Sequence, residues 1–251
     1  MVDRSGRLFY LPNPKLVDLE EAIAAQTFNA ICIGGSRAGG KSLGLRRVAQ
    51  RYAAKLENFS ALFLRRTFPE LQRNHGRFCP READRLGAHY ASFKWSVEKT
   101  DATIEFGHVQ DKHDFSKYIG AEYDLIVIDQ IEMFLDIQVS ELGASLGRIR
   151  RSDWRGLMLA GENPGGPSSS FVDELFISKT RDRTRYPEYD PTLFHWIPIA
   201  LEDNAYIPEA YVQFLAGIEP TKRAMYRFGD RSHFPGQFMP SFDYAQHVRP
   251  S

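Results

Sequence analysis

Short apolar runs alternate with stretches of helical periodicity along the 251-residue chain. Residues 28–33 are apolar, end at Gly34 and predict a buried strand. Beyond it, Leu45, Val48, Ala49 and Tyr52 share one face of a helix predicted over 41–56. Further strands are expected at 61–64, 125–128, 156–160 and 193–199, and the alternating pair 93–97 and 103–106 reads as a hairpin. Helices are expected at 16–25, at 69–86 with a break near Pro80, and at 136–146, 171–177, 208–216 and 221–228. The serine run at 168–170 would cap the 171–177 helix. Apolar strands that alternate with helices imply a mostly parallel sheet with helices on both faces, a three-layer α/β fold.

Composition narrows the class. Hydrophobic residues make up 43% of the chain, enough for the core of one large domain and too many for disorder. Formal net charge is zero, so any contact with nucleic acid has to be a local patch. Cys32 and Cys79 are too few for a disulfide framework, and Cys32, inside an apolar run, is expected in the core. No signal-peptide pattern opens the chain and no run reaches the ~18 apolar residues of a membrane span. The expectation is a soluble protein of a reducing, intracellular compartment with no membrane partner.

The chemistry concentrates at Gly35-Ser36-Arg37-Ala38-Gly39-Gly40-Lys41-Ser42, which satisfies G-x-x-x-x-G-K-[ST] in full, with a strand entering and an amphipathic helix leaving. Such a loop turns successive backbone N–H groups toward a phosphate, and the helix N-terminus adds partial positive charge. Lys41 would reach the β- and γ-phosphates of ATP, and Ser42 would offer its hydroxyl to Mg2+. The stretch Tyr123-Asp124-Leu125-Ile126-Val127-Ile128-Asp129 reads as an acid-tipped Walker B strand, with Asp129 as the second metal residue. Gln130 is the departure. Many P-loop ATPases carry a Glu there, which can take a proton from the attacking water; an amide keeps the shape and loses the base. Two explanations stand: a substitution that slows hydrolysis and holds ATP, or a natural Gln with the water handled by another group. Glu132, two residues further on, is expected to point elsewhere.

More motifs follow in order. Arg37 is the third residue of the loop after Gly35 and Ser36, and Phe63-Leu64-Arg65-Arg66 follows the first long helix. Gly120-Ala121-Glu122-Tyr123-Asp124 leads into the Asp129 strand, and Asn163-Pro164-Gly165-Gly166-Pro167 closes the next one. Asp203-Asn204-Ala205-Tyr206-Ile207 with Tyr211 comes later, then Tyr226-Arg227-Phe228-Gly229-Asp230 and Gly236-Gln237-Phe238. In this order the motifs resemble, over nearly the whole length, the N-terminal ATPase domain of the large terminase subunit of tailed bacteriophages.

That resemblance implies a RecA/ASCE-like P-loop NTPase in which an extra strand separates the P-loop strand from the Walker B strand. It implies an ATP hydrolase that uses Mg2+ and couples turnover to translocation of double-stranded DNA into a procapsid. Gly35, Ser36, Arg37, Ala38, Gly39, Gly40, Lys41 and Ser42 would hold the nucleotide, and Asn163 would sense the γ-phosphate. Gln130 would occupy the catalytic position. Arg148 or Arg150 would complete a neighbouring subunit's site. The implied partners are the portal protein, the small terminase subunit and further copies of the chain in a ring, a pentamer on the capsid, in the host cytoplasm. The ATPase domain would cover 1–235, and 236–251 would be the hinge into a nuclease domain absent from this chain. The family's adenine-reading Gln has only Gln26 as a candidate, with Phe28 as a stacking partner.

Other features carry less. Arg65, Arg66 and Arg73 are candidates for DNA contact, and the cluster 181–185 reads as a solvated loop. His75, His89, His108, His113 and His195 show no metal-ligand spacing and receive no role. There is no G-x-S-x-G elbow, no N-K-x-D guanine motif and no Arg-rich kinase lid. The remaining alternatives are another P-loop nucleic-acid motor, helicase-like, and a non-hydrolysing ATP-binding assembly module.

Overall fold

In chain order the elements are α1 (Pro14–Ala24), β1 (Ala30–Gly35), α2 (Lys41–Lys55), β2 (Ser60–Arg65), α3 (Phe68–Leu71), α4 (Cys79–Leu86), β3 (His89–Ala91), β4 (Lys94–Val97), β5 (Ala102–His108), α5 (Lys112–Ser116), β6 (Leu125–Asp129), α6 (Asp136–Gly143), β7 (Leu157–Glu162), α7 (Ser169–Val172), β8 (Phe194–Ile199), α8 (Glu209–Ala216) and α9 (Pro220–Arg223). The computed structural model describes residues 13–118, 120–147 and 153–232. The expected domain boundary at 235/236 and both candidate arginines, Arg148 and Arg150, lie outside the described residues.

The strands form one sheet in the order β3-β4-β5-β2-β6-β7-β1-β8. Six are parallel, from β5 across to β8, and β3, β4 and β5 form an antiparallel edge. The strand β7 lies between β1 and β6, which is the inserted strand that the resemblance implies. Alternation along each strand splits the core in two. Ile31, Ile33, Phe63, Leu125 and Val127 pack on one face with Leu19 and Ile23 of α1 and Leu45 and Val48 of α2. Cys32, Leu62, Leu64, Ile126 and Ile128 face the other way, onto Val139 and Leu142 of α6 and Phe171 and Val172 of α7. Both faces of the central strands are therefore covered, and they read as unbroken apolar runs.

Several local expectations shift. The 69–86 helix is two short helices joined by a π turn, Gln72–Gly76. Pro80 sits in the first turn of α4, where its missing N–H costs nothing. The 171–177 helix starts at Ser169 and passes into a π turn, and Ser168 at its N-cap makes no side-chain capping bond. The hydroxyl of Ser169 instead accepts from Gly165 N–H at 3.1 Å. Phe93, placed in a strand by its hydrophobicity, has φ 58° in the turn between β3 and β4, and its ring meets Phe68 at 5.0 Å. The 136–146 helix ends at Gly143.

Candidate nucleotide-binding site

The phosphate loop leaves the carboxyl end of β1. Gly40, at φ 92°, is the N-cap of α2 and offers no side chain to cap it, so the first N–H groups of that helix stay available to an anion. Three segments distant in sequence brace the loop from outside. Asn13 Nδ2 donates to the Gly39 carbonyl at 3.0 Å, and Asn204 Nδ2 donates to the Ala38 carbonyl at 2.7 Å. The backbone N–H of Arg37 donates to the Tyr226 carbonyl at 2.8 Å, and the Arg37 guanidinium lies 3.8 Å from the centroid of the Tyr226 ring. Arg37 is thus turned toward the 224–228 turn.

Gly229 closes this contact. It has φ 70°, and a Cβ there would fall 2.8 Å from Gly35 Cα and 3.0 Å from Ser36 N. Both obstacles are backbone, so neither can rotate away. Gly229→Ala is expected to push the 224–231 segment off the loop, weakening ATP binding about tenfold and lowering Tm by several degrees; isothermal titration and calorimetry check it.

Lys41 Nζ is folded back onto its own loop, donating to the carbonyl of Ser36 and, at 3.5 Å, to that of Gly35. Burial lowers its pKa to about 8 although the carboxylates of Glu162, Glu132 and Asp129 act in the opposite sense. An ammonium parked on carbonyls in a buried loop is a cation ready for an anionic partner.

Asp129 ends β6 and is 2% exposed. Burial by itself would raise its pKa. The Arg65 guanidinium, a hydrogen bond from His75 and one from the Ser42 hydroxyl reverse that and hold it well below the usual carboxylate range. Arg65 Nη1 lies 3.1 Å and His75 Nε2 2.8 Å from Asp129 Oδ2. The other imidazole nitrogen, Nδ1, is 3.0 Å from Arg46 Nη1. Arg46 can only donate, so Nδ1 accepts and Nε2 carries the proton given to Asp129. Burial lowers the His75 pKa and favours this neutral tautomer. Arg46 is fixed in turn by Glu82, through Nε at 2.8 Å and Nη2 at 2.9 Å. A chain from Glu82 through Arg46 and His75 therefore orients the Asp129 carboxylate.

Lys41, Ser42, Asp129 and Asn163 line one cleft of about 240 Å3, with Gly39 and Gly40 on its rim. A hydroxyl and a carboxylate are hard oxygen donors, and Mg2+ characteristically takes few protein oxygens plus phosphates and water. The Ser42–Asp129 pair fits that ion, and the loop above it fits a polyphosphate. A larger cavity of about 670 Å3 lies elsewhere, among Met158, Phe171, Tyr186 and Phe194.

Some expected residues lie elsewhere or differ in setting. Gln130 follows β6 in a left-handed conformation, φ 68° and ψ 59°, and among the described residues its side chain makes no hydrogen bond. Glu132 does not point away: it is buried, with Oε1 3.5 Å from Asn163 Nδ2. Arg65, a DNA candidate by sequence, is 5% exposed and committed to Asp129, so it cannot meet DNA. Arg66 donates to the Val109 carbonyl and Arg73 Nε to the Pro69 carbonyl at 3.3 Å. Arg181 is buried on Asp136 at 3.0 Å and over the Tyr186 ring, whereas Arg183 and Arg185 are exposed as expected of a solvated loop. Gln26 and Phe28 precede β1, at the sheet edge opposite the loop. Gln26 accepts from Arg155 N–H at 2.6 Å, and Phe28 stacks on His195 at 4.6 Å, so neither reads a base bound at the loop.

Four contributors to the site carry little or no signal in the sequence. Asn13 was legible as an Asn-Pro helix start. Glu162 ends β7 at 0% exposure, with Arg231 Nη2 2.5 Å from its Oε1. That pair is a charge contact, since neither Glu162 oxygen accepts an aligned hydrogen bond. An acid closing an apolar strand was its only signal. His75 and Arg46 had none, because only folding brings them to Asp129.

No protein-family model and no curated protein sequence matches the chain. Solved structures do match. The large terminase of a thermophilic bacteriophage aligns over 97% of this chain with TM-score 0.68 and 15% identity, and the chain spans 59% of that protein. The HK97 bacteriophage large terminase aligns over 92% with TM-score 0.64 and 11% identity, and the chain spans 53% of it. The ATPase domain of the Thermus phage P74-26 large terminase aligns over 87% with TM-score 0.58 and 12% identity, covered to 93% of its own length. The first of these, the thermophilic phage protein, has also been solved in complex with ADP and with ATP-gamma-S. At these identities the likeness is one of fold, and the chain has the fold of large terminase ATPase domains.

Proposed function

We propose that the chain is the ATP-hydrolysing motor domain of a viral DNA-packaging terminase, coupling Mg-ATP hydrolysis to translocation of double-stranded DNA into a procapsid. One observation carries the reading: Lys41 and Ser42 at the N-terminus of α2 share one cleft with Asp129 and Asn163. In this reading the loop 35–42 cradles the phosphates and Lys41 leaves its own carbonyls for the β- and γ-phosphate oxygens. Ser42 and Asp129 would hold Mg2+, which when bound would neutralise charge developing on the phosphates. Asn163 stands at the γ-phosphate end of the cleft and couples its occupancy to the loop 163–169. Gln130 orients water without taking its proton. Arg148 or Arg150 of an adjacent copy in a homo-oligomeric ring supplies the missing positive charge. The portal protein, the small terminase subunit and the host cytoplasm complete the setting.

Titration with a fluorescent ATP analogue and phosphate release, each with and without linear double-stranded DNA, test the reading. Binding that EDTA abolishes, with turnover stimulated by DNA, is the expected result. Binding with no turnover under any condition would favour a non-hydrolysing ATP-binding assembly module. No binding would remove the reading altogether.

A further inference from the structure

One buried carboxylate at the site has no task in the mechanism above. Glu132 lies in the 3-10 turn Ile131–Met133, directly after Gln130, and is 3% exposed. Its Oε1 faces Asn163 Nδ2 at 3.5 Å, and its Oε2 has no hydrogen-bond partner. The loop 163–169 lies on top of it. Ser168 N–H donates to the Glu132 carbonyl at 2.9 Å, and a Cβ on Gly166 would fall 2.3 Å from Glu132 Cγ. A buried carboxylate oxygen without a donor is costly, and such an exception calls for a reason.

Glu132 sits behind Asn163, one side chain away from the cleft that Lys41 and Asp129 line. The Lys41 ammonium feels the carboxylate of Glu132 as well as those of Glu162 and Asp129. Asn163, which Glu132 faces, lines the cleft beside Lys41 and Asp129. The loop over Glu132 contributes no charged side chain, so the charged groups acting on it are Glu162 from β7, Asp129 from β6 and Lys41 from α2. Burial and the nearby Glu162 push its carboxyl up to about 8, so its ionised form, which grows as pH rises toward 8, takes a proton more readily than an ordinary carboxylate. Gln130, beside Asp129, has no such capacity.

We propose that Glu132 is the proton acceptor for ATP hydrolysis in this chain, a role that Gln130 cannot fill. The proposal rests on the ATPase reading above. The water oxygen bonds to the γ-phosphorus while the bond from that phosphorus to the β,γ-bridging oxygen breaks, its electron pair leaving with ADP. The proton lost by the water passes to Glu132 Oε2 and from there to solvent after phosphate departs.

Phosphate release and binding of a fluorescent ATP analogue, measured on the whole chain, on Glu132→Gln and on Glu132→Gln with Gln130→Glu, decide it. Glu132→Gln is expected to bind Mg-ATP within about threefold of the parent while kcat falls by about 100-fold or more. Adding Gln130→Glu is expected to recover at least about tenfold, because a carboxylate again stands beside Asp129. A Glu132→Gln that turns over within about threefold of the parent overturns the proposal. A loss that Gln130→Glu does not recover marks Glu132 as a prop for the Asn163 loop and overturns it too. A parent that binds Mg-ATP without turnover also overturns it and leaves nucleotide binding intact, whereas a parent that binds nothing removes the ATPase reading itself. Should Glu132→Gln not fold, Glu132→Asp decides: kcat down about tenfold or more at unchanged KM supports the proposal, and an unchanged kcat overturns it.

Discussion

Lys41→Ala is expected to reduce kcat for ATP hydrolysis by about a thousandfold or more and to weaken nucleotide binding together with it. The ammonium is buried, it already makes contacts with Gly35 and Ser36 carbonyls, and no other cation lines the cleft among the described residues. Charge developing on the γ-phosphate would lose its preorganised counter-charge, and a buried ammonium acts on it more strongly than one in water. The nucleotide-free protein is affected as well. Lys41 offsets Glu162, Glu132 and Asp129, so its loss drives Glu162 and Glu132 further toward their neutral forms. Lys41→Arg is not a rescue, since a planar fork does not fit where a point charge sits. Steady-state phosphate release checks the prediction, and turnover within about tenfold of the parent would remove Lys41 from the phosphate site.

Arg65→Ala is expected to destabilise the fold by about 3–5 kcal/mol, the range found when one partner of a buried ion pair is removed. Arg65 and Asp129 are both buried and 3.1 Å apart. The variant leaves Asp129 with a neutral imidazole and a hydroxyl as donors. The pH dependence changes with it. In the parent, the folded-state pKa of Asp129 is depressed, so its stabilising contribution is present above the unfolded value of about 4 and is lost as pH falls toward the folded value. Removing Arg65 raises the folded-state pKa, which shrinks that contribution and moves its loss to higher pH. Urea unfolding of both proteins at pH 7 and pH 4 measures the two effects. A variant of unchanged stability that loses only DNA affinity would return Arg65 to the DNA-contact role that its sequence position suggested.

How much of this was legible depends on the range of the interaction. The order of strands and helices came from local hydrophobic periodicity, and the phosphate loop came from a contiguous motif that needs its glycines and Lys41 in fixed spacing. The strand between β1 and β6 followed from the resemblance rather than from any residue pattern. The break within 69–86 was displaced because Pro80 reads as a breaker, whereas at the first turn of a helix it is tolerated. Glu132 was misplaced because the 163–169 loop, distant in sequence, covers it, and Arg65 because its partner is set by the fold. Charged side chains are exposed unless paired, and the pairing is decided by contacts across the sheet. The order Arg46, His75 and Glu82 along the chain says nothing of the hydrogen-bonded chain they form onto Asp129.

The bracing of the phosphate loop bears on how such proteins exchange parts. Every residue expected to touch phosphate or metal lies between Gly35 and Asn163, which suggests a cassette that recombination could move intact. The carbonyls of Gly39 and Ala38 are nevertheless held by Asn13 and Asn204, and the backbone of Gly35 and Ser36 rests against Gly229. A chimera that carries residues 30–163 into a distant relative therefore transplants the motif without its supports. Functional exchange has to match the positions equivalent to 13, 204 and 226–229 as well.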